Sequence, residues 1–127
     1  MGAEARIKEL GITLPPPPKP AGNYVPGVRV GNLLFLSGHG PLHVEGKTRP
    51  KGKVGREISP EEGHRIAREV GINLLGSTRS LLGSLDKVKR VVKVPSDEQP
   101  TSKQTSVTER SPRRSKVMAR SMRRVIR

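Results

Sequence analysis

The chain has no cysteine and no tryptophan, and only one tyrosine, Tyr24, and one phenylalanine, Phe35, in 127 residues. Without cysteine there are no disulfides, thiolate nucleophiles or cysteine-based zinc sites, which fits a reducing, cytoplasmic setting. With so few aromatics, stacking platforms for nucleic-acid bases are absent and the core must be built from aliphatic residues. No run of about 18 apolar residues occurs, so no membrane span is expected. The N-terminus, Met1-Gly2-Ala3-Glu4-Ala5-Arg6, lacks an apolar segment, so no signal peptide is read there. Nor does Arg6 fit the Ser/Thr that myristoylation of Gly2 requires.

Acidic residues are also scarce: 11 against 25 lysines and arginines, for a formal charge of +14. Residues 95–127 carry nine basic and three acidic side chains, so the excess is +6 there and +8 elsewhere. Such a balance favours polyanions without sequence preference. No helix-turn-helix or zinc knuckle accompanies it, and a basic, solvated surface is the simpler reading.

One stretch is site-like. Tyr24 to Pro41 holds two apolar runs, Val25 to Val30 and Leu33 to Leu36, around Gly31-Asn32. Gly-Asn between such runs signals a two-residue hairpin turn. The second run ends in Ser37-Gly38-His39-Gly40-Pro41, which cannot continue as a strand. A hydroxyl and an imidazole thus fall where a strand gives out, beside glycines whose N–H groups are open.

Ala3 to Leu10 reads as a short helix with an apolar edge of Ala5, Ile7, Leu10 and Ile12, with Glu4, Arg6, Lys8 and Glu9 in water and Gly11 at the C-cap. Pro15-Pro16-Pro17-Pro18-Lys19-Pro20 dictates an extended polyproline segment, read as a stiff strap across the domain rather than as an SH3 ligand. A turn is expected at Glu45-Gly46. Thr48 to Arg56 reads as a basic loop or a short strand around Val54, without the phosphate-loop pattern.

Ser59-Pro60-Glu61-Glu62 marks a helix start, with Ser59 as cap and Pro60 in the first position. The helix is expected to run to about Leu82 and end at Gly83. Its buried face is Ile66, Ala67, Val70, Leu74, Leu75, Ser77, Thr78, Leu81 and Leu82, with Gly71 and Gly76 allowing close approach to a sheet. His64 reads as solvated. Val88, Val92 and Val94 alternate with lysines and predict a half-wet or edge strand. The order of elements describes an α+β layer, an antiparallel sheet with a helix packed on one face. After Pro95 the apolar pattern stops, so residues 95–127 read as a basic disordered tail, with an amphipathic helix over 115–127 as the alternative. The division is therefore 1–23 helix and strap, 24–94 partial α/β domain, 95–127 tail.

The proline strap, Gly22-Asn23-Tyr24-Val25-Pro26-Gly27-Val28, Gly31-Asn32-Leu33-Leu34-Phe35-Leu36-Ser37-Gly38, Ser59-Pro60-Glu61-Glu62 and Leu85 to Val94, in that order, resemble the RidA (YjgF) family. This family is also called endoribonuclease L-PSP, and the likeness is to its chorismate-mutase-like branch, over roughly residues 3–94. The resemblance implies a sheet carrying two helices, a homotrimer with pockets between subunits, and hydrolysis of enamines and imines such as 2-aminoacrylate to keto acid and ammonia. Some members are credited with RNA cleavage or translation inhibition. It also implies that Tyr24 and Ser37 are the catalytic pair, holding a water, and that Gly38 and His39 line the substrate wall. No metal and no cofactor are expected. Residues 95–127 do not match the family's second half, which carries a carboxylate-gripping arginine and a water-placing acid. The expectation is therefore a truncated fold, impaired activity and dependence on oligomerisation, with a shift of reading frame near residue 95 as the cause. The alternatives are an RNA-associated protein, with the basic tail binding RNA non-specifically, and an inactive remnant.

Overall fold

The computed structural model describes residues 2–17, 19, 22–41, 52–94, 120 and 122–126. The expected turn at Glu45-Gly46, the middle of the prolines and most of the basic tail lie outside these residues. Within them the chain is a small α+β unit. Its elements are α1 (Ala3–Glu9), β1 (Gly27–Val30), β2 (Leu33–Leu36), α2 (Pro60–Leu82) and a 3-10 turn at Leu85–Lys87.

α1 ends as its sequence dictates. Gly11 takes φ +62, Ile12 N–H bonds to the Ile7 carbonyl (3.0 Å) and Gly11 N–H to the Lys8 carbonyl (3.1 Å). These two bonds form a Schellman cap. The buried edge differs from the expected one: Ala3 and Ile7 face the core, while Ala5 and Leu10 are exposed. Spacing by four residues puts Ala3 and Ile7 on one side, and the tie to the Leu85 turn decides which side is inward. Glu4, expected in water, accepts from Leu85 N–H (3.0 Å) and lies 3.4 Å from Arg79 Nε. In return Glu4 N–H donates to Asp86 Oδ1 (3.0 Å), so a carboxylate satisfies one of the otherwise open donors of α1.

β1 and β2 form an antiparallel hairpin with Val30 opposite Leu33 and Val28 opposite Phe35. Gly31 has φ +56 and Asn32 does not have a positive φ, so the turn is of the kind that places glycine first. Gly27 lies under Leu81 of α2, so one face of the hairpin is turned to the helix. The other face carries Val28, Val30, Leu33 and Phe35, all at least half exposed. Around Val54 there is an isolated bridge to Ile58 and no strand.

α2 starts and stops at the expected residues. Ser59 Oγ accepts from Glu62 N–H (3.2 Å), Pro60 opens the helix, and Gly83 at φ +79 closes it. Gly76 serves a contact other than close approach to a sheet. Gly76 lies under the Pro15 carbonyl, so the strap, and not the sheet, crosses the helix there. Gly63 meets Val54. Leu81, placed in the buried face from sequence, is partly exposed, and Asn73 is buried instead.

Two expectations change toward the C-terminus. Leu85–Lys87 is a 3-10 turn capped by Ser84, and residues 88–94 pair with no strand. Val88, Val91 and Val94 pack on the core while Val92 points outward. The packing period is three, as in an unpaired extended segment, not the two of a strand. At the other end of the expected tail, residues 120 and 122–125 are helical. Met122, Val125 and Ile126 are buried with Ala3, Ile7, Leu75 and Leu85 in one cluster, and Val125 is fully enclosed. Part of the tail therefore completes the core. The signal was present in the apolar spacing of Met122, Val125 and Ile126, outweighed by the arginines around them.

Candidate functional site

The loop leaving β2 is held by side chains on three sides. Ser37 continues the hairpin ladder by donating its N–H to the Pro26 carbonyl (3.0 Å). The Ser37 hydroxyl donates to the Val25 carbonyl. Its single hydrogen is thereby committed, so toward a ligand this oxygen can only accept. Tyr24, one residue before Val25, leaves about half of its surface in solvent. The hairpin register thus brings the Tyr24 and Ser37 segments side by side, with Gly38 exposed beyond them. A Cβ added at Gly38 or Gly40 would meet nothing within 4 Å, so the loop borders open space.

His39 is placed differently from a ligand-facing residue. Its Nδ1 lies 2.7 Å from the Ser37 carbonyl and its Nε2 2.7 Å from Ser77 Oγ on α2. A carbonyl only accepts, so Nδ1 carries the hydrogen, and in the neutral ring Nε2 accepts from the Ser77 hydroxyl. Both ring nitrogens are engaged within the protein. One turn earlier on α2, Asn73 Nδ2 donates to the Gly40 carbonyl (3.1 Å). Asn73 and Ser77, four residues apart on one face of α2, therefore grip both ends of the His39 segment.

Sequence reasoning missed this grip. The sequence pattern places Ser77 in the buried face with no partner and gives Asn73 no role. The available signal was a pair of small polar residues inside an apolar stripe, since a buried amide or hydroxyl must find a partner.

These contacts restrict the chemistry. Ser77 and His39 form a hydroxyl–imidazole pair, but Ser77 is fully buried, so no substrate can reach it. His39 touches the Ser37 carbonyl and not its hydroxyl, so Ser37 has no base at hand for nucleophilic attack. What remains open is an accepting Ser37 oxygen, the Tyr24 hydroxyl and the Gly38 backbone. Among the described residues, no lysine or arginine hydrogen-bonds to this loop, and no group of three His, Asp or Glu side chains could hold a metal.

No family model matches the chain. A curated relative, protein TCP17 of Trypanosoma cruzi, is 38% identical over 90 residues, covering 71% of this chain and 56% of TCP17. A protein of Shewanella oneidensis MR-1, described provisionally as an endoribonuclease, has a crystal structure that superposes with a TM-score of 0.64 at 28% identity, over 72% of this chain and 60% of that one. The protein Atu1372 of Agrobacterium tumefaciens, of unknown function, matches with a TM-score of 0.56 at 40% identity, over 70% of this chain and 52% of that one. The chain thus spans a little over half the length of the proteins it resembles. These likenesses support a RidA-like α+β fold. Among the described residues no helix is long and apolar enough to cross a membrane.

Proposed function

We propose that the loop after β2 is one wall of a site that hydrolyses small enamines or imines, and that turnover by this chain is weak. The observation that carries the reading is the commitment of the Ser37 hydroxyl hydrogen to the Val25 carbonyl, beside Tyr24 and the open Gly38. An oxygen that can only accept is suited to holding a water by one of its hydrogens, leaving the water's lone pair free to attack. In the reaction, 2-aminoacrylate tautomerises to its imine and water adds to the imine carbon. The carbon–nitrogen bond then breaks, giving pyruvate and ammonia. In this reading the Tyr24 hydroxyl donates to, or accepts from, that water. Weak turnover follows from the lack of a described cation at the loop to grip the carboxylate. The reading needs no cofactor and no metal.

The second wall belongs to a neighbouring subunit in this reading. The outer face of the hairpin, with Val28, Val30, Leu33 and Phe35 each at least half exposed, continues from the segment that carries Tyr24 and offers a contiguous apolar patch of the kind that marks an interaction site. A homotrimer that covers this face also brings a second chain to the site.

The test is release of pyruvate and ammonia from freshly generated 2-aminoacrylate. A rate above the uncatalysed one that is lost in Ser37→Ala supports the proposal. No acceleration, or one indifferent to Ser37, rejects it and leaves an inactive remnant as the better account.

RNA association is the competing reading, favoured by the description of the Shewanella protein and by the exposed cations Arg29, Lys53, Arg56, Lys89, Arg90 and Lys93. Its mark is RNA affinity that falls steeply with salt.

A further inference from the structure

We infer that His39, anchored through Ser77, is a positioning residue that aims the Gly38 N–H out of the loop toward an anionic oxygen of the ligand. The argument starts at one peptide plane. Among the described residues no peptide bond is cis, so the Ser37 carbonyl and the Gly38 N–H point in opposite directions. The carbonyl is drawn onto His39 Nδ1 at 2.7 Å, and the other side of the same ring is fixed to α2 by Ser77 at 2.7 Å. The carbonyl therefore faces the ring and the Gly38 N–H faces away from it, and among the described residues that N–H donates to no acceptor. Without the ring the plane is free to turn, because glycine imposes no preference of its own. Asn73 completes the hold by fixing the Gly40 carbonyl two residues on. Ser77 is fully buried and its α2 neighbourhood is close-packed, so the anchor is rigid.

The ligand chemistry rests on the proposed hydrolysis, whose substrate and product both carry a carboxylate. The arrangement of the ring does not rest on it. A free neutral imidazole ordinarily carries its hydrogen on Nε2, and here the Ser37 carbonyl demands it on Nδ1. Two bonds, one to a carbonyl and one to a hydroxyl, can be separated by substitution. His39→Asn keeps a donor for the Ser37 carbonyl, His39→Leu keeps neither bond, and Ser77→Ala removes only the outer anchor.

The full chain, labelled with nitrogen-15, is titrated with pyruvate while the Gly38 amide and the His39 ring nitrogens are followed by NMR. The expected result is a hydrogen on Nδ1 in the wild type. Pyruvate binding should weaken about tenfold in His39→Leu and stay within about threefold of the wild type in His39→Asn, as expected for loss and retention of one bond that orients a donor. Equal pyruvate affinity in the wild type and His39→Leu overturns the inference, as does a folded His39→Asn that binds as weakly as His39→Leu. If His39→Leu does not fold, Ser77→Ala takes its place, and a Gly38 amide resonance unchanged in that variant overturns the inference. If the wild type itself does not bind pyruvate, the proposed hydrolysis fails. The positioning role is then decided by the ring and the amide: a ring with no hydrogen on Nδ1, or a Gly38 amide resonance that does not move in the variants, overturns it.

Discussion

The backbone of Gly76 lies so close to the Pro15 carbonyl oxygen that a Cβ built on the glycine would stand 2.7 Å from it. Pro15 therefore lies on α2 in direct backbone contact. Two effects of Gly76→Ala oppose each other. Alanine favours the helix by about 1 kcal/mol, while overpacking against a backbone atom costs about 1–3 kcal/mol. Because Pro15 is stiff, the second effect should prevail. A net loss of roughly 1 kcal/mol is expected in chemical denaturation. A stabilised variant would show that the strap does not rest on the helix.

Val125 is fully enclosed by a cluster that includes Leu75 and Leu85. Val125→Ala should cost roughly 2 kcal/mol through lost burial and the cavity left behind. In a small domain of limited total stability such a loss lowers the thermal midpoint by several degrees. A midpoint that did not change would mean that the end of the chain hangs free, as its composition alone suggests.

Ser59 Oγ caps α2 at the Glu62 N–H. Ser59→Ala should destabilise the protein by about 1 kcal/mol, and Ser59→Asp should restore most of the loss. The pair of variants separates capping from any other role of the hydroxyl, since the carboxylate can accept the same bond.

The apolar outer face of the hairpin gives an assembly prediction. Phe35, more than half exposed, stands opposite Val28 at the centre of that face. Phe35→Lys should shift the chain from an oligomer toward a monomer in sedimentation velocity, because a lysine there loses charge solvation whenever the face is covered. A wild-type chain that sediments as a monomer at micromolar concentration would remove the covered-face account.

Local chemistry made some of the fold readable in advance. The hairpin followed from Gly31 between apolar runs, and α2 from Ser59-Pro60 at one end and Gly83 at the other. Capping and turns depend on neighbours in sequence, so they carry over directly. Packing does not. Ala3 in place of Ala5, Val91 in place of Val92, and the burial of Met122 and Val125 depend on which elements meet, and a single sequence holds no such distances. The candidate site divided in the same way. Ser37 and Gly38 stand out as candidates because a strand ends at a Ser-Gly pair, and Tyr24 through the family resemblance. The grip of Ser77 and Asn73 on the His39 segment does not stand out, because it joins residues more than thirty positions apart.

The account turns on Ser37 as an acceptor that holds water. The most direct measurement is the rate of pyruvate formation from 2-aminoacrylate generated in place, for the wild type, Ser37→Ala and Tyr24→Phe at equal folded concentration. The account predicts a small acceleration by the wild type that drops to the uncatalysed rate in Ser37→Ala, and falls by about tenfold or more in Tyr24→Phe. An acceleration that Ser37→Ala leaves intact, or none at all from the wild type, would contradict it.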